Sequence, residues 1–518
     1  VDLKKRLSQA WAKSDGTSIR EHTDKLLENL RALKELYRTQ IEEACPEEFR
    51  GYLWRALELA CEYHDYGKLH CKFQKEVVRN RNYPDQKVER VRHNLLSPAF
   101  FEAEEEFLRD IVGLVIIHHH EAEVGQETIK KVEGVLRQEF NLAMKGWHKK
   151  LLLEDEYTRL EKLSQSYSLD EDRLRTFYVL LKGLLLRIDH ASSNKEIERI
   201  EVEPIKSPEK DIKEKKGFEL NDLQEFVSQN RDKSLVVSAP TGYGKTEAGF
   251  IFLEGKGFYT IPIRTSANAI YQRAKEYFGE KVGLVHSTAL NFLVESEEDR
   301  SKLIGIITDY EYAKSFSKAL LVCTPDQPFP FVFVYRGFEK SLAVLSYSAV
   351  VIDEVQLFEP HTLGFLVEGI RIAREFGSRV MVMTATLPEF VKRDLEGMEY
   401  RYFGNLEVTR HHLKVVKDSL LSAVDDIRKK SQEGKVLVIT NTVKRAVELY
   451  ERLRPEGQEL EVKLLHSRYI LKDRRKKEGE IKEFFDKGDR GVWITTQLAE
   501  VSLDLDADYL FTEYSTPD

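Results

Sequence analysis

"SLVVSAPTGYGKTEAG", residues 234–249, runs from an apolar stretch through glycine, lysine and threonine into a helical pattern. A strand, a glycine-rich turn and a helix in that order form the context a phosphate-binding loop requires. Gly242 and Gly244 let backbone amides close around phosphate oxygens, and the helix N-terminus adds its partial positive charge. Lys245 is placed to reach the β- and γ-phosphates of ATP, Thr246 to ligate Mg2+, and Thr241 lies in the same turn. The loop opens on Ala239 where the commoner pattern has glycine.

Outward from this loop the chain repeats its strand–helix alternation. "GFYTIPI", "KVGLVHS", "ALLVCTP", "AVVIDE" and "VMVMTAT" are short apolar runs between helical stretches, and a second series follows in "KVLVITNT", "VKLLHS" and "GVWITTQ". The alternation predicts two tandem α/β lobes, each a parallel sheet covered by helices, over residues 218–400 and 401–518. Upstream, residues 1–198 repeat apolar residues at three-to-four spacing, as in "SIREHTDKLLENLRALKELY", and predict an all-α domain. The charged stretch between them, 199–217, has two prolines and no apolar period, and reads as a linker.

With 518 residues the chain is too long for one core. Its net charge of −8 argues against a uniformly basic nucleic-acid coat but leaves room for a narrow basic track. No run is long and apolar enough to span a membrane, and the start lacks a signal-peptide centre, so a cytoplasmic location is expected. Cys45, Cys61, Cys71 and Cys323 form no CxxC pair, which speaks against a zinc ribbon or a disulfide framework.

"AVVIDEVQ", residues 349–356, is an apolar strand ending in two carboxylates. Asp353 suits magnesium and Glu354 suits a general base on the attacking water. Together with "MTATLP" (383–388) and "TTQLAEVSLDLDAD" (495–508), this order of motifs resembles the superfamily 2 helicases. The resemblance implies that Gln224 reads the adenine edge and that Asp504 belongs to the nucleotide site. It places Gln356 where relatives carry His or Asp, a position that could alter how hydrolysis couples to motion.

The helical domain carries a different chemistry. His22, His64, Asp65, His93, the run His118-His119-His120, and Asp189 each sit on or beside an amphipathic helix. Imidazole and carboxylate are the ligand set of first-row divalent metals. One helix end can place Asp65 between two ions while His64 binds one, with Lys68 on the same face for a phosphate. As an ordered set these residues resemble the HD superfamily of metal-dependent phosphohydrolases. Only two of the three consecutive histidines are needed; His118 and His119 are favoured, with His120 the alternative.

An HD domain ahead of a superfamily 2 helicase resembles the CRISPR-associated nuclease-helicases of type I interference. "RHNLLSP", "IDHASSN", "PIRTSANAIYQR", "CTPDQ", "DEVQLFEP" and "LLHSRY" add to that resemblance. It implies a two-metal nuclease that nicks and shortens single-stranded DNA, using Mn, Fe, Ni or Co. It also implies ATP-driven 3′ to 5′ translocation, and DNA marked by the RNA-guided Cascade complex as target. It assigns strand contacts to Arg264, Thr265, Thr324, Pro325, Arg468 and Thr496. Two rival readings are an HD nucleotide phosphohydrolase with regulatory ATPase lobes, and an RNA helicase or ATP-dependent binding platform. The family's glutamine-arginine motif is not found before Asp518, so slow ATP turnover is expected unless a separate C-terminal fragment supplies it.

Overall fold

The computed structural model describes residues 3–217, 219–295, 299–387, 389–404, 412–454, 460–487, 490–496 and 505–514. The chain forms two compact units, Val1–Pro262 with Tyr271–Phe403, and Ile263–Ile270 with Gly404–Asp518.

The first unit begins with the helical domain. Helix α1 (Ile19–Ala44) starts at a capping box in which Ser18 and Glu21 satisfy each other's backbone N–H groups. Its buried stripe of Leu26, Leu30, Leu33, Tyr37 and Ile41 packs on the domain core. Helices α2 (Arg50–Tyr63), α3 (Glu106–His118) and α4 (Glu156–Tyr167) surround α5 (Glu171–Ser193). From Phe177 to Ile188 every α5 residue is buried, so this helix is the axis of the domain.

The stretch read as a linker is ordered. It contains helix α6 (Pro208–Lys216), started by a proline in its first turn. After α7 (Asp222–Gln229) come β1 (Leu235–Ser238), the phosphate loop and α8 (Lys245–Phe252). The sheet is completed by β2 (Gly257–Thr260), β3 (Val282–Val285), β4 (Leu320–Cys323), β5 (Ala349–Asp353), β6 (Arg379–Thr384) and β7 (Glu399–Tyr402), with helix α9 (Phe338–Leu345) before β5. All seven strands are parallel, in the order β3-β4-β2-β5-β6-β1-β7. Register sets Ser238 beside Thr384 and Asp353 beside Met383, so the carboxyl ends of β1, β5 and β6 meet next to the phosphate loop. Strand β7 is solvent-exposed along its length, which hid it from hydrophobic patterning; it carries Arg401 and Tyr402 past the expected lobe boundary at 400.

The helical domain and this sheet share one seam. Gly183 of α5 crosses α9 so closely that a Cβ there would lie 2.1 Å from the Glu339 carbonyl oxygen. Lys182 bridges Glu156 and Glu339, at 2.7 Å each. Glu201, fully buried, accepts from Arg187 (3.2 Å), Lys256 (2.5 Å) and Tyr347 (2.8 Å). Of the charges in the stretch read as a linker, Glu201 thus serves as a buried partner.

The second unit holds β8 (Lys435–Ile439), β9 (Val462–Leu465), β10 (Gly491–Thr495) and β11 (Tyr509–Thr512), parallel in the order β11-β8-β10-β9. Val436, Val438, Leu449 and Ile494 form its core. Among the described residues no helix is long and apolar enough to cross a membrane.

Candidate functional site

The imidazoles and carboxylates singled out in the helical domain converge. His22 comes from the first turn of α1, His64 caps the end of α2, and Asp65 and Lys68 lie in the tight turn that follows. His93 opens a four-residue helix, His119 and His120 follow α3, and Asp189 lies near the end of α5. Gly67 is what allows the approach: a Cβ on it would stand 1.9 Å from the His93 carbonyl oxygen. Its N–H donates to Ser97 Oγ (2.8 Å), and that hydroxyl donates to the His64 carbonyl (2.6 Å). Asn94 Nδ2 donates to the Ile117 carbonyl (2.5 Å), tying the His93 segment to the end of α3.

Two groups of three ligand atoms result: His22, His64 and Asp65, and His93, His119 and His120, each within 4.8 Å of one another. Asp65 stands between them. Its Oδ2 is 3.5 Å from both His22 Nε2 and His64 Nε2, and its Oδ1 is 3.4 Å from His93 Nε2. Asp189 Oδ1 closes the first group at 3.1 Å from His22 Nε2. The Nδ1–H groups of His64 and His119 are directed at the carbonyls of Cys61 (3.1 Å) and Ile116 (2.6 Å), turning each Nε2 lone pair inward. The Nε2 atoms of His64, His93 and His119 are buried without a hydrogen bond. Unpaired buried lone pairs of this kind suit metal ligation.

The electrostatics agree with a ligand set. Burial pushes His93 down to about 3 and His119 well below its ordinary value, so both are neutral at pH 7. Burial opposes ionisation of Asp65 and Asp189, but the facing His22 and His64, with Lys68 (Nζ 2.6 Å from Asp65 Oδ2) beside Asp65, hold both carboxyls low. His64 is lifted by Asp65 and Asp189 in spite of its burial.

The grouping in the structure differs from the favoured histidine register. His119 and His120 face His93, whereas His118 lies among the charges of Glu156, Lys182 and Asp155 near the seam. Consecutive residues at a helix end point about 100° apart, so three in a row cannot all face one centre. A third group, His70, Cys71 and Glu139, is bound within itself: His70 Nδ1 contacts Glu139 at 2.5 Å, and the Cys71 N–H donates to the same carboxylate at 2.7 Å.

At the phosphate loop Gly242 and Gly244 take positive φ of 75° and 82°. Lys245, buried, donates to the Ala239 carbonyl at 2.9 Å, and Thr246 follows it in the first turn of α8. Thr241 is exposed at the turn. Gln224 is buried, accepts from the Asn221 N–H (3.1 Å) and donates to the Gly244 carbonyl (3.3 Å), so it braces the loop. Asp353 is raised to about 6 by burial and by adjacent Glu354. Tyr259, which sequence reading passed over as a strand residue, donates to Asp353 Oδ2 at 2.5 Å. Glu354 sits at φ 54°, a strained setting for a non-glycine residue. Gln356 donates to Glu354 and accepts from Thr384, linking the carboxylate pair to the "MTAT" strand.

The expected strand-contact residues each lie past the carboxyl end of a parallel strand: Arg264 and Thr265 after β2, Thr324 and Pro325 after β4, Arg468 after β9 and Thr496 after β10. Thr324 and Thr496 are buried, Arg264 and Arg468 exposed. Asp504 lies outside the described residues.

Residues 223–393 match the DEAD/DEAH box helicase family, and residues 432–518 match the C-terminal part of the CRISPR-associated nuclease/helicase Cas3. The CRISPR-associated nuclease/helicase Cas3 of Methanothermobacter thermautotrophicus is 29% identical over 399 residues, covering 69% of this chain and 47% of the relative. The chain is similar to the Cas3 nuclease/helicases. It spans about half the length of the curated Cas3 relatives it matches. The crystal structure of T. fusca Cas3 superposes with a TM-score of 0.69 at 18% identity, covering 98% of this chain and 71% of the other, so the Cas3 fold is shared. A chain of a CRISPR RNA-guided surveillance complex, pre-nicking, superposes with a TM-score of 0.57 at 17% identity, covering 95% of this chain and 67% of the other.

Proposed function

We propose that the chain is a cytoplasmic metal-dependent nuclease joined to an ATP-driven 3′ to 5′ translocase, acting on single-stranded DNA presented by a Cascade-type complex. The observation that carries the nuclease half is Asp65, with one carboxylate oxygen turned to each of two imidazole groups. His22, His64, Asp65 and Asp189 would hold one divalent cation; Asp65, His93, His119 and His120 the other. Such a pair, manganese, iron, nickel or cobalt by donor type, supplies Lewis acidity toward a phosphodiester. Asp65 and Asp189 stay ionised, and His93 and His119 stay neutral, across the physiological range. Lys68 places a cation at the rim, free to meet a phosphate once Asp65 turns to its ligand role.

In the motor half, Lys245 would exchange the Ala239 carbonyl for β/γ-phosphate oxygens, and Thr246 and Asp353 would hold magnesium. Glu354 is positioned by Gln356 to orient the attacking water, and Gln224 would meet adenine. Arg264, Thr265, Thr324, Pro325, Arg468 and Thr496 would supply sequence-blind strand contacts.

The deciding assay offers circular single-stranded DNA, single-stranded RNA and mononucleotides to the chain loaded with manganese. DNA cleavage lost by several orders of magnitude in Asp65→Ala, with thermal unfolding unchanged, is expected. Mononucleotide hydrolysis without polymer cleavage would overturn the reading.

A further inference from the structure

Between β4 and α9 the helicase sheet throws out a turn that no nucleotide-site argument explains. It runs from Phe333 to Gly337, with Lys340 in the first turn of α9, and touches residues beside the helical domain's ligand groups. Phe333 is 63% exposed, Val334 66% and Tyr335 43%. Val334 takes a left-handed conformation at φ 48°, which a β-branched residue adopts only under constraint. The turn is pinned on both sides of it: the Val334 N–H donates to the Phe331 carbonyl (2.9 Å), and the Phe338 N–H donates to Tyr335 (3.0 Å). The strain therefore holds two aromatic rings out in water. Phe333 packs on Phe365 (4.7 Å between ring centres) and Phe365 on His361 (4.8 Å), both exposed, giving a short ladder of rings.

The same turn reaches residues that adjoin the proposed ligands. Arg336 lies 3.6 Å from Glu121, the neighbour of His120, and Arg92, the neighbour of His93, meets the same carboxylate at 2.9 Å. Lys340 Nζ is 3.4 Å from Nδ1 of His190, the neighbour of Asp189. From Phe333 to Arg336 is at most about 11 Å of extended chain. Exposed rings next to a row of cations, on the approach to a centre whose donors suit phosphodiesters, match the chemistry of unpaired nucleic acid: bases stack on rings while phosphates meet the cations.

Resting on the nuclease reading, we infer that the Phe333–Val334–Tyr335 turn is a base-stacking guide for single-stranded nucleic acid, with Arg336 and Lys340 steering its backbone into the Asp65 centre. The helicase sheet thereby supplies part of the nuclease's substrate path.

The test measures binding of two fluorescent probes to the full chain in EDTA: a 30-mer of deoxythymidine and an abasic 30-mer of the same charge. Wild type is expected to prefer the thymidine probe, and Phe333→Ala with Tyr335→Ala to lose about tenfold on it alone. Phe333→Trp with Tyr335→Phe should keep the preference, and Arg336→Glu should weaken both probes. Equal wild-type affinity for the two probes, or a preference that survives the alanine pair, overturns the inference, and in the second case assigns the exposed rings to a protein partner. The nuclease reading fails separately, if metal-loaded wild type cleaves no single-stranded DNA.

Discussion

His148 shows what burial does to an imidazole that stands outside the proposed ligand groups. His148 is fully buried, donates from Nε2 to the Leu95 carbonyl (2.9 Å), and is pushed down to about 4 by burial. Its folded value lies below the ordinary 6.5, so the unfolded chain takes up a proton that the fold refuses. The stability it contributes is complete above about pH 6.5 and is lost as pH falls toward 4. Urea midpoints between pH 7.5 and 4.5 should fall in wild type and fall less in His148→Asn. The ligand register makes a second prediction. His120→Ala should cost about 10- to 100-fold in divalent-metal affinity, whereas His118→Ala should leave loading of two ions unchanged. Metal content by mass spectrometry checks both; equal loss in the two variants would refute the register. The residue types that the structure groups here were legible in sequence because imidazole and carboxylate in that order have few other uses. It could not choose among three adjacent histidines, since the choice depends on where α3 ends and how the next turn rotates.

At the scale of elements, the site depends on a crossing that one glycine permits. Gly67 has ordinary φ, so its necessity is steric: the turn after His64 lies directly against the His93 carbonyl. Gly67→Ala should force the His93 helix away and open the two groups around Asp65. About 10- to 100-fold weaker metal binding is expected, with helix content by circular dichroism unchanged. Undiminished affinity would mean that the backbone yields without moving the ligands. Strands β1 to β6 were readable because each is a mainly apolar run buried along almost its whole length. Strand β7 was not, since Glu399, Tyr400, Arg401 and Tyr402 are all exposed and carry no such signal. Helix α6 was missed for a related reason: only Pro208 and Ile212 of its nine residues are buried, too few to mark a period.

Across the whole first unit, the seam carries more than its polar composition announced. Charge and proline marked 199–217 as a place where the chain comes free, yet Glu201 is among its most buried residues. A carboxylate that neutralises Arg187 and Lys256 from inside looks, in sequence, like one on a solvated tether. Glu201→Ala leaves two buried cations without their partner and should cost about 3–5 kcal/mol. Calorimetry should then show the helical domain and the seven-stranded sheet still melting together at a lower temperature; two separate transitions in wild type would refute a shared seam. The arrangement also bears on how such a protein can be taken apart. α5 contributes Asp189 to the proposed metal centre and, within two turns, Lys182, Gly183 and Arg187 to the contact with α9 and Glu201. Excising the first 198 residues as a portable nuclease would strip that helix of its cover and strand a guanidinium in an apolar face. The smallest piece that keeps this seam whole therefore ends at Phe403, with the seven-stranded sheet included.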